Sequence, residues 1–260
     1  MKSVRRFTAM LLAGCLSFLS CIKNEQACFQ TNAYDEQALT TSKICVNTVN
    51  DIRVSHGLSE LAILPVLIDL SEVRAEELTI INDHIRPDGS GALTILHSTG
   101  IPYIASSENI AAGRSEPVSV IDQWMESNDH RKTILSDSYT HVGVACYSDP
   151  DTQYGYYWCM LFMGVYDGKS PRIFDDQFIP ERGLGDVDGT YTINAADAAR
   201  ILDYSASTSS GIDYPVVRAF EAAADVNGDG MINSVDASIL LTYSVNKGSG
   251  NGGELKDYIW

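Results

Sequence analysis

At 260 residues the chain has room for two domains, each large enough for a core of its own. A formal charge of −16 argues against negatively charged partners, nucleic acid and anionic membrane surfaces among them.

The start, MKSVRRFTAMLLAGCLSFLSC, joins basic residues to an apolar run of about fifteen, the pattern of a secretory signal over residues 1–21. No later run approaches the roughly 20 apolar residues of a membrane-spanning helix, so the mature chain reads as exported, extracellular and without a membrane span. Leu12-Ala13-Gly14-Cys15 has the look of a lipobox, which would make Cys15 a lipid-modified N-terminus. The apolar run continues through Leu16, Phe18 and Leu19, so cleavage there would fall early, and ordinary cleavage between Ser20 and Cys28 fits better.

Residues 22–42 are polar, lack periodicity and read as a leader. Apolar residues then recur at helical spacing from Ile44 to Ile52, with Gly57 as the C-terminal stop. A second helix is predicted at about 69–82, with Leu70, Val73, Leu78 and Ile81 inward. Arg86-Pro87-Asp88-Gly89 is a turn, with Pro presetting the first dihedral. A third helix runs from Pro117 to about Glu126 with Val118, Ile121 and Trp124 inward, and two strand-like runs follow, VGVACY and YYWCMLFMGVY.

Cys15 and Cys21 leave with the signal or lie at its edge, so four cysteines remain, an even set for an oxidising compartment. Cys146 and Cys159 flank the turn-rich SDPDTQYG between the two strand runs. Facing positions on a hairpin would join Cys146 to Cys159, and Cys28 to Cys45 by elimination. Four buried free thiols are the alternative.

The motifs of this region say more than its periodicity. His84 with RPDG, Glu108-Asn109-Ile110-Ala111, Trp124-Met125-Glu126-Ser127 with His130-Arg131, His141-Val142-Gly143-Val144, and Tyr157-Trp158 with Leu161-Phe162 occur in that order. Together they resemble the bacterial, SCP-like branch of the CAP superfamily, over residues 43–167. The resemblance implies an α+β fold, an α-β-α sandwich with helices on both faces of a small antiparallel sheet. Many eukaryotic members line a cleft with two His and two Glu, which sometimes hold zinc. His84 matches the first His and Glu108 the first Glu, whereas Ser127 and Ser138 stand at the second Glu and second His positions. Half of that tetrad is therefore missing. His130 and His141 are additional imidazoles within reach of the same cleft, each with an ordinary capping or edge role as the alternative. His56 and His97 carry no motif and read as surface. No Ser or Cys sits in a nucleophile motif.

Residues 168–183 read as a proline-punctuated linker. Beyond it, DVNGDGMINSVD at 225–236 places Asp225, Asn227 and Asp229 at alternate positions, Gly230 at the sharp turn and Asp236 at the end of a twelve-residue loop. Calcium takes six to eight oxygen ligands at about 2.3–2.6 Å, and this spacing wraps them around one point, with the Met231 carbonyl as the backbone ligand. Asp236 replaces the usual Glu, so the following helix must sit closer. The frame recurs 39 residues upstream, with Asp186, Asp188, Asn194 and Asp197 matching Asp225, Asn227, Asn233 and Asp236, and Thr192 matching Met231. There Thr190 replaces an acidic ligand and Tyr191 stands where Gly takes φ > 0, so the first site is predicted to be the weaker. Each loop leads into an apolar stripe at helical spacing, Ala198, Ile201 and Leu202, then Ala237, Leu240 and Leu241.

Two calcium loops each running into a helix, the first with no helix before it, resemble a type I dockerin over about residues 184–246, a small all-α module. Residues 247–260 read as a Gly/Ser tail with an aromatic end that can fold back. The resemblance implies a calcium-dependent grip by a cohesin module of a scaffoldin, as in cellulosomes that degrade plant-wall polysaccharide. In such modules the contacts cluster where loop meets helix, here Ala195 and Ala196 in the first copy and Ser234 and Val235 in the second. The chain then reads as secreted cargo of a cell-surface complex. Its first domain is a binding module for a glycan, lipid or peptide, or alternatively a metal- or acid/base-assisted hydrolase of wall polymers or peptides.

Overall fold

The computed structural model describes residues 36–165, 179–217, 219–250 and 252–259. The predicted signal, Cys15, Cys21, Cys28, the first part of the leader and the linker up to residue 178 lie outside them. Glu36 to Trp260 cluster as one compact unit.

Helix α1 (Glu36–Ser55) begins inside the stretch that reads as leader and ends before Gly57, whose φ of 75° an L side chain resists. Strand β1 (Ala62–Ile63) leads into α2 (Pro65–Glu77), which Pro65 opens with its preset φ. This helix starts earlier than the apolar period suggests. Its inner face is Leu67, Ile68, Ser71, Arg74 and Ala75, while Val73 is 43% exposed. The periodicity misleads because an arginine occupies a core position. In α3 (Pro117–Glu126) the inward set is Val120, Ile121 and Trp124, and Val118 faces outward.

The sheet runs β1-β3-β4-β2, with β2 (Tyr103–Ala112), β3 (His141–Ser148) and β4 (Tyr156–Val165) antiparallel and the short β1 parallel to β3. Strand β2 has no clear signature in the sequence, since serines and Glu108 interrupt its alternation. One face of the sheet carries Val142, Val144, Trp158, Met160 and Phe162 and packs on α1 and α3. The other carries Cys159, Leu161 and Met163 and packs on α2 and a 3-10 helix, Ala92–Thr99. Each fully buried Leu, Phe or Met on these faces contributes about 1.5–3 kcal/mol. Gly143 makes the α2 contact possible, because a Cβ there would lie 2.3 Å from the Leu67 carbonyl carbon.

The register corrects the predicted Cys146–Cys159 bridge. Cys146 pairs with Trp158 and Cys159 with Ala145. A shift of one residue sends side chains to opposite faces, so Cys159 joins the α2 side while Cys146 packs on the α1 side. Cys45, Cys146 and Cys159 are free thiols.

Beyond the sheet domain the described residues are helical: α5 (Ala195–Ser209), α6 (Phe220–Ala224) and α7 (Ser234–Gly248). Val187, Ile201, Phe220, Val226 and Leu240 form their small core. The tail folds back, with a 3-10 turn, Leu255–Tyr258, whose Leu255 and Tyr258 pack on that core. The whole is α+β, a sheet covered by helices on both faces followed by an all-helical segment.

Candidate functional site

Strand β2 is one edge of the sheet, and a cleft of about 520 Å³ opens beside it, lined by His84, Thr94, His97, Tyr103, Ser107 and Glu108. Glu108 is anchored from below by Arg74, whose side chain is fully buried. Arg74 Nε donates to Glu108 Oε2 at 2.8 Å, Nη1 to Glu77 Oε2 at 2.8 Å and Nη2 to the Asp83 carbonyl at 3.1 Å. Arg86 closes the outer side of Glu77 at 2.6 Å. The remaining Glu108 oxygen, Oε1, holds His84 Nδ1 at 2.8 Å. A line of alternating charge thus runs Arg86, Glu77, Arg74, Glu108, His84. The RPDG turn sets its outer end, with Arg86 N donating to the Ser90 carbonyl at 2.8 Å and Gly89 at φ 85°.

These contacts determine the protonation states. The hydrogen bond to Glu108 raises the pKa of His84 above its ordinary value, against the opposing effect of partial burial. Burial would raise Glu108, but the hydrogen bonds from His84 and Arg74 outweigh it and leave the carboxyl below the ordinary range. Cys159 Sγ lies 3.6 Å from Glu108 Oε2, and its own burial followed by that carboxylate pushes the thiol well up. A buried thiol held protonated is no nucleophile.

The four imidazole and carboxylate residues singled out by sequence do not all meet. His84 and Glu108 form the pair just described. His130, on α4 (Asn128–Ile134), accepts a backbone-carbonyl bond from Asn109 Nδ2 at 3.1 Å. Its imidazole is close enough to His84 to feel that charge, and its pKa is lowered, by burial first and by His84 second. His141 stays apart. It opens β3, two strands inward from β2, is 5% exposed and holds Thr140 Oγ1 at 2.8 Å through Nδ1. His97, which carries no motif, lines the cleft instead. Arg74 and Glu77 escape a motif reading, although an arginine with Glu at i+3 inside an apolar helix face is a visible signal, and Arg86 sits in the RPDG motif without its pairing to Glu77 being legible there.

Zinc in the cleft is not shown. Both Glu108 oxygens are engaged, and among the described residues no third ligand-bearing side chain joins His84 and Glu108 at metal distance.

The two loops are built alike. Asn194 and Asn233 each cap their helix, accepting from Ala196 N at 2.8 Å and Val235 N at 2.7 Å. Asp197 and Asp236 complete the capping boxes and, with their other oxygen, gather the backbone N–H of Val187 and Val226 at 2.7 and 2.8 Å. The shorter Asp thus brings helix and loop together. In the first loop Asp186, Asp188 and Asp197 each offer an oxygen within 4.8 Å of the others. Burial, then the neighbouring carboxylates, push Asp186 up to about 6. An all-oxygen set so crowded with negative charge fits a hard divalent cation such as calcium. Tyr191 takes φ 62° where Gly230 takes 82° in the second loop, so the first loop holds its frame at the expense of backbone strain. Ala195, Ala196, Ser234 and Val235 are all exposed.

Two family profiles match the chain: the Cysteine-rich secretory protein family over residues 46–162 and the Dockerin type I domain over residues 184–243. The Bacillus subtilis protein YkwD is 32% identical over 124 residues, covering 47% of this chain and 46% of that protein. The membrane protein YlbC of the same organism is 27% identical over 107 residues, covering 40% and 31%. The chain therefore spans less than half the length of the curated relatives it matches. An extracellular SCP-domain protein of Bacillus anthracis is similar at 25% identity and a TM-score of 0.42, covering 47% of this chain and 40% of that one. An outer surface protein of Borrelia burgdorferi is similar at 18% identity and a TM-score of 0.44, covering 50% and 95%. No helix among the described residues is long and apolar enough to cross a membrane. The chain joins a CAP domain of the cysteine-rich secretory protein family to a type I dockerin domain.

Proposed function

We propose that this is a secreted cargo protein whose calcium-loaded dockerin is gripped by a scaffoldin cohesin and whose CAP domain acts as a binding module. The observation that supports the anchoring is the duplicated loop-and-helix unit. Each copy repeats the same residue frame and leaves its loop–helix junction exposed, and in the first copy Asp186, Asp188 and Asp197 bring their oxygens within 4.8 Å of one another. The two junctions differ, Ala195 and Ala196 against Ser234 and Val235, which favours one binding orientation over two. Ala196→Arg and Val235→Arg, each tested against a cohesin in calcium, decide this. Loss with one and silence with the other supports a single orientation, and failure of the double variant alone supports two.

The binding reading of the cleft rests on the state of Glu108. A carboxylate already held by Arg74 and His84 is poorly placed to take a proton from substrate, and the cleft pairs half-exposed imidazoles with Tyr103 and Leu93, a surface suited to a glycan, lipid or peptide. One observation favours the hydrolase reading. The pKa of His84 is raised, by its bond to Glu108, while that of His130 is lowered, by burial first and by the charge of His84 second, the opposite shifts an acid/base couple uses. Wall glycans and peptides incubated with the full chain separate the two. Saturable binding without product, weakened by His84→Ala, supports the module; turnover abolished by His84→Ala supports the hydrolase.

A further inference from the structure

The dockerin's first loop is not free-standing. Asn47 of the CAP helix α1, 3% exposed, donates from Nδ2 to the Gly189 carbonyl of that loop at 2.8 Å. The approach is so close that a Cβ on Gly189 would meet Asn47 Nδ2 at 2.5 Å. One turn on, Asp51 bridges Arg182, just before the loop, at 2.9 Å and Arg200, on the helix after it, at 2.7 Å. Lys43, one turn before Asn47, stands 5.9 Å from the centre of the Tyr191 ring, within cation–π range. Val54 packs onto the dockerin core. Four successive positions on one face of α1 therefore grip the loop, its approach and its exit helix.

Among the described residues no side chain of α1 hydrogen-bonds to the second loop, and that loop has less need of it. It carries Gly230 at the turn where the first loop strains Tyr191 into φ 62°. The buttress falls on the copy in which Thr190 stands for an acidic residue and Tyr191 for Gly.

We infer that α1 of the CAP domain is a working part of the first calcium site, so that calcium binding at loop one and docking of the CAP domain on the dockerin are a single linked equilibrium. The inference rests on the reading of the loops as calcium sites. The Asn47 bond and the Asp51 bridge hold the loop in the shape that aims Asp186, Asp188 and Asp197 at one point. Without them the ion must also gather the loop, and its apparent affinity falls by the fraction of chains in the competent shape. Linkage makes the effect mutual, so calcium at loop one tightens the domain junction by the same factor. The ion then orients the CAP domain relative to the dockerin as well as folding the dockerin.

Calorimetric titration of the full chain with calcium alone tests this, in two backgrounds. In Asp225→Ala, which disables loop two, adding Asn47→Ala and Asp51→Asn should weaken binding at loop one by about tenfold, in the middle of the usual range of coupling between sites. In Asp186→Ala, which disables loop one, the same pair should leave loop two unchanged. Lys43→Ala, which removes only the ring contact, should weaken loop one by about two- to threefold. It decides the matter if emission of Trp124 and Trp158 shows that the double variant has lost its fold. Equal losses at both loops, or none at loop one, overturn the coupling while leaving calcium binding intact. A parent chain that takes up no calcium at either loop overturns both.

Discussion

Removing Arg74 is the sharpest probe of how the cleft is built. Its guanidinium makes four bonds at 2.8–3.4 Å, two to Glu108 and one each to Glu77 and the Asp83 carbonyl, with no exposed side-chain surface of its own. The Glu108 side chain is 2% exposed, so Arg74→Met strands a carboxylate out of water with His84 as its one charged partner. Breaking a buried pair from one side costs about 3–5 kcal/mol, whereas replacing both partners by apolar groups of similar volume is often neutral. Arg74→Met should therefore lose about 3–5 kcal/mol in urea unfolding followed by the emission of the buried Trp124 and Trp158, a fall in Tm of about 10–20 °C. Arg74→Met combined with Glu108→Leu should recover at least half of the loss, because no charge is left to strand. The single variant should also raise the pKa of Glu108, since burial is then opposed by His84 alone. A single variant within about 1 kcal/mol of wild type, or a double variant worse than the single, would refute the account of Arg74 as the anchor of the site.

The His84–Glu108 pair predicts a stability window in pH. His84, raised in the fold, adds stability below its unfolded pKa of about 6.5 and loses it as pH rises through the higher folded value. Glu108, lowered in the fold, adds stability above about 4.3 and loses it as pH falls through the lower folded value. The difference in Tm between wild type and His84→Ala should thus be largest between about pH 4.3 and 6.5 and shrink on either side, and a difference that is flat from pH 4 to 8 counts against the pairing. Gly143→Ala should destabilise by about 1–3 kcal/mol or more, since the added methyl meets the α2 backbone at 2.3 Å and backbone cannot rotate away; unfolding curves that overlay the wild type would contradict the close helix–sheet contact. Non-reducing peptide mapping should find no peptide joining Cys146 to Cys159, and such a peptide would require a register different from Cys146 opposite Trp158.

Much of the dockerin is legible in the sequence because its chemistry is local. The candidate ligands of each loop, the capping asparagine and the closing aspartate fall within a dozen consecutive residues, so spacing alone points to Asp186, Asp188 and Asp197, whose oxygens lie within 4.8 Å of one another. The motif order likewise shows the CAP domain, and Pro117 marks the start of α3. What the sequence hides is everything decided by contacts between distant segments. The face of α2 is misread because Arg74 is buried for the sake of Glu108, 34 positions away on a strand with little signature of its own. Cys146 and Cys159 look like hairpin partners until the register is known, and a shift of one residue puts them on opposite faces of the sheet. His141 belongs to the right motif but lies two strands from the cleft, while His97 lacks a motif and lines it. The grip of Asn47 on Gly189 spans 142 positions and leaves no trace in either segment, because an asparagine on a helix and a glycine in a loop are each ordinary until the fold brings them to 2.8 Å. Spacing along the chain specifies what a short loop can chelate; which buried charges meet, and which domain steadies which loop, depends on packing that only the assembled fold supplies.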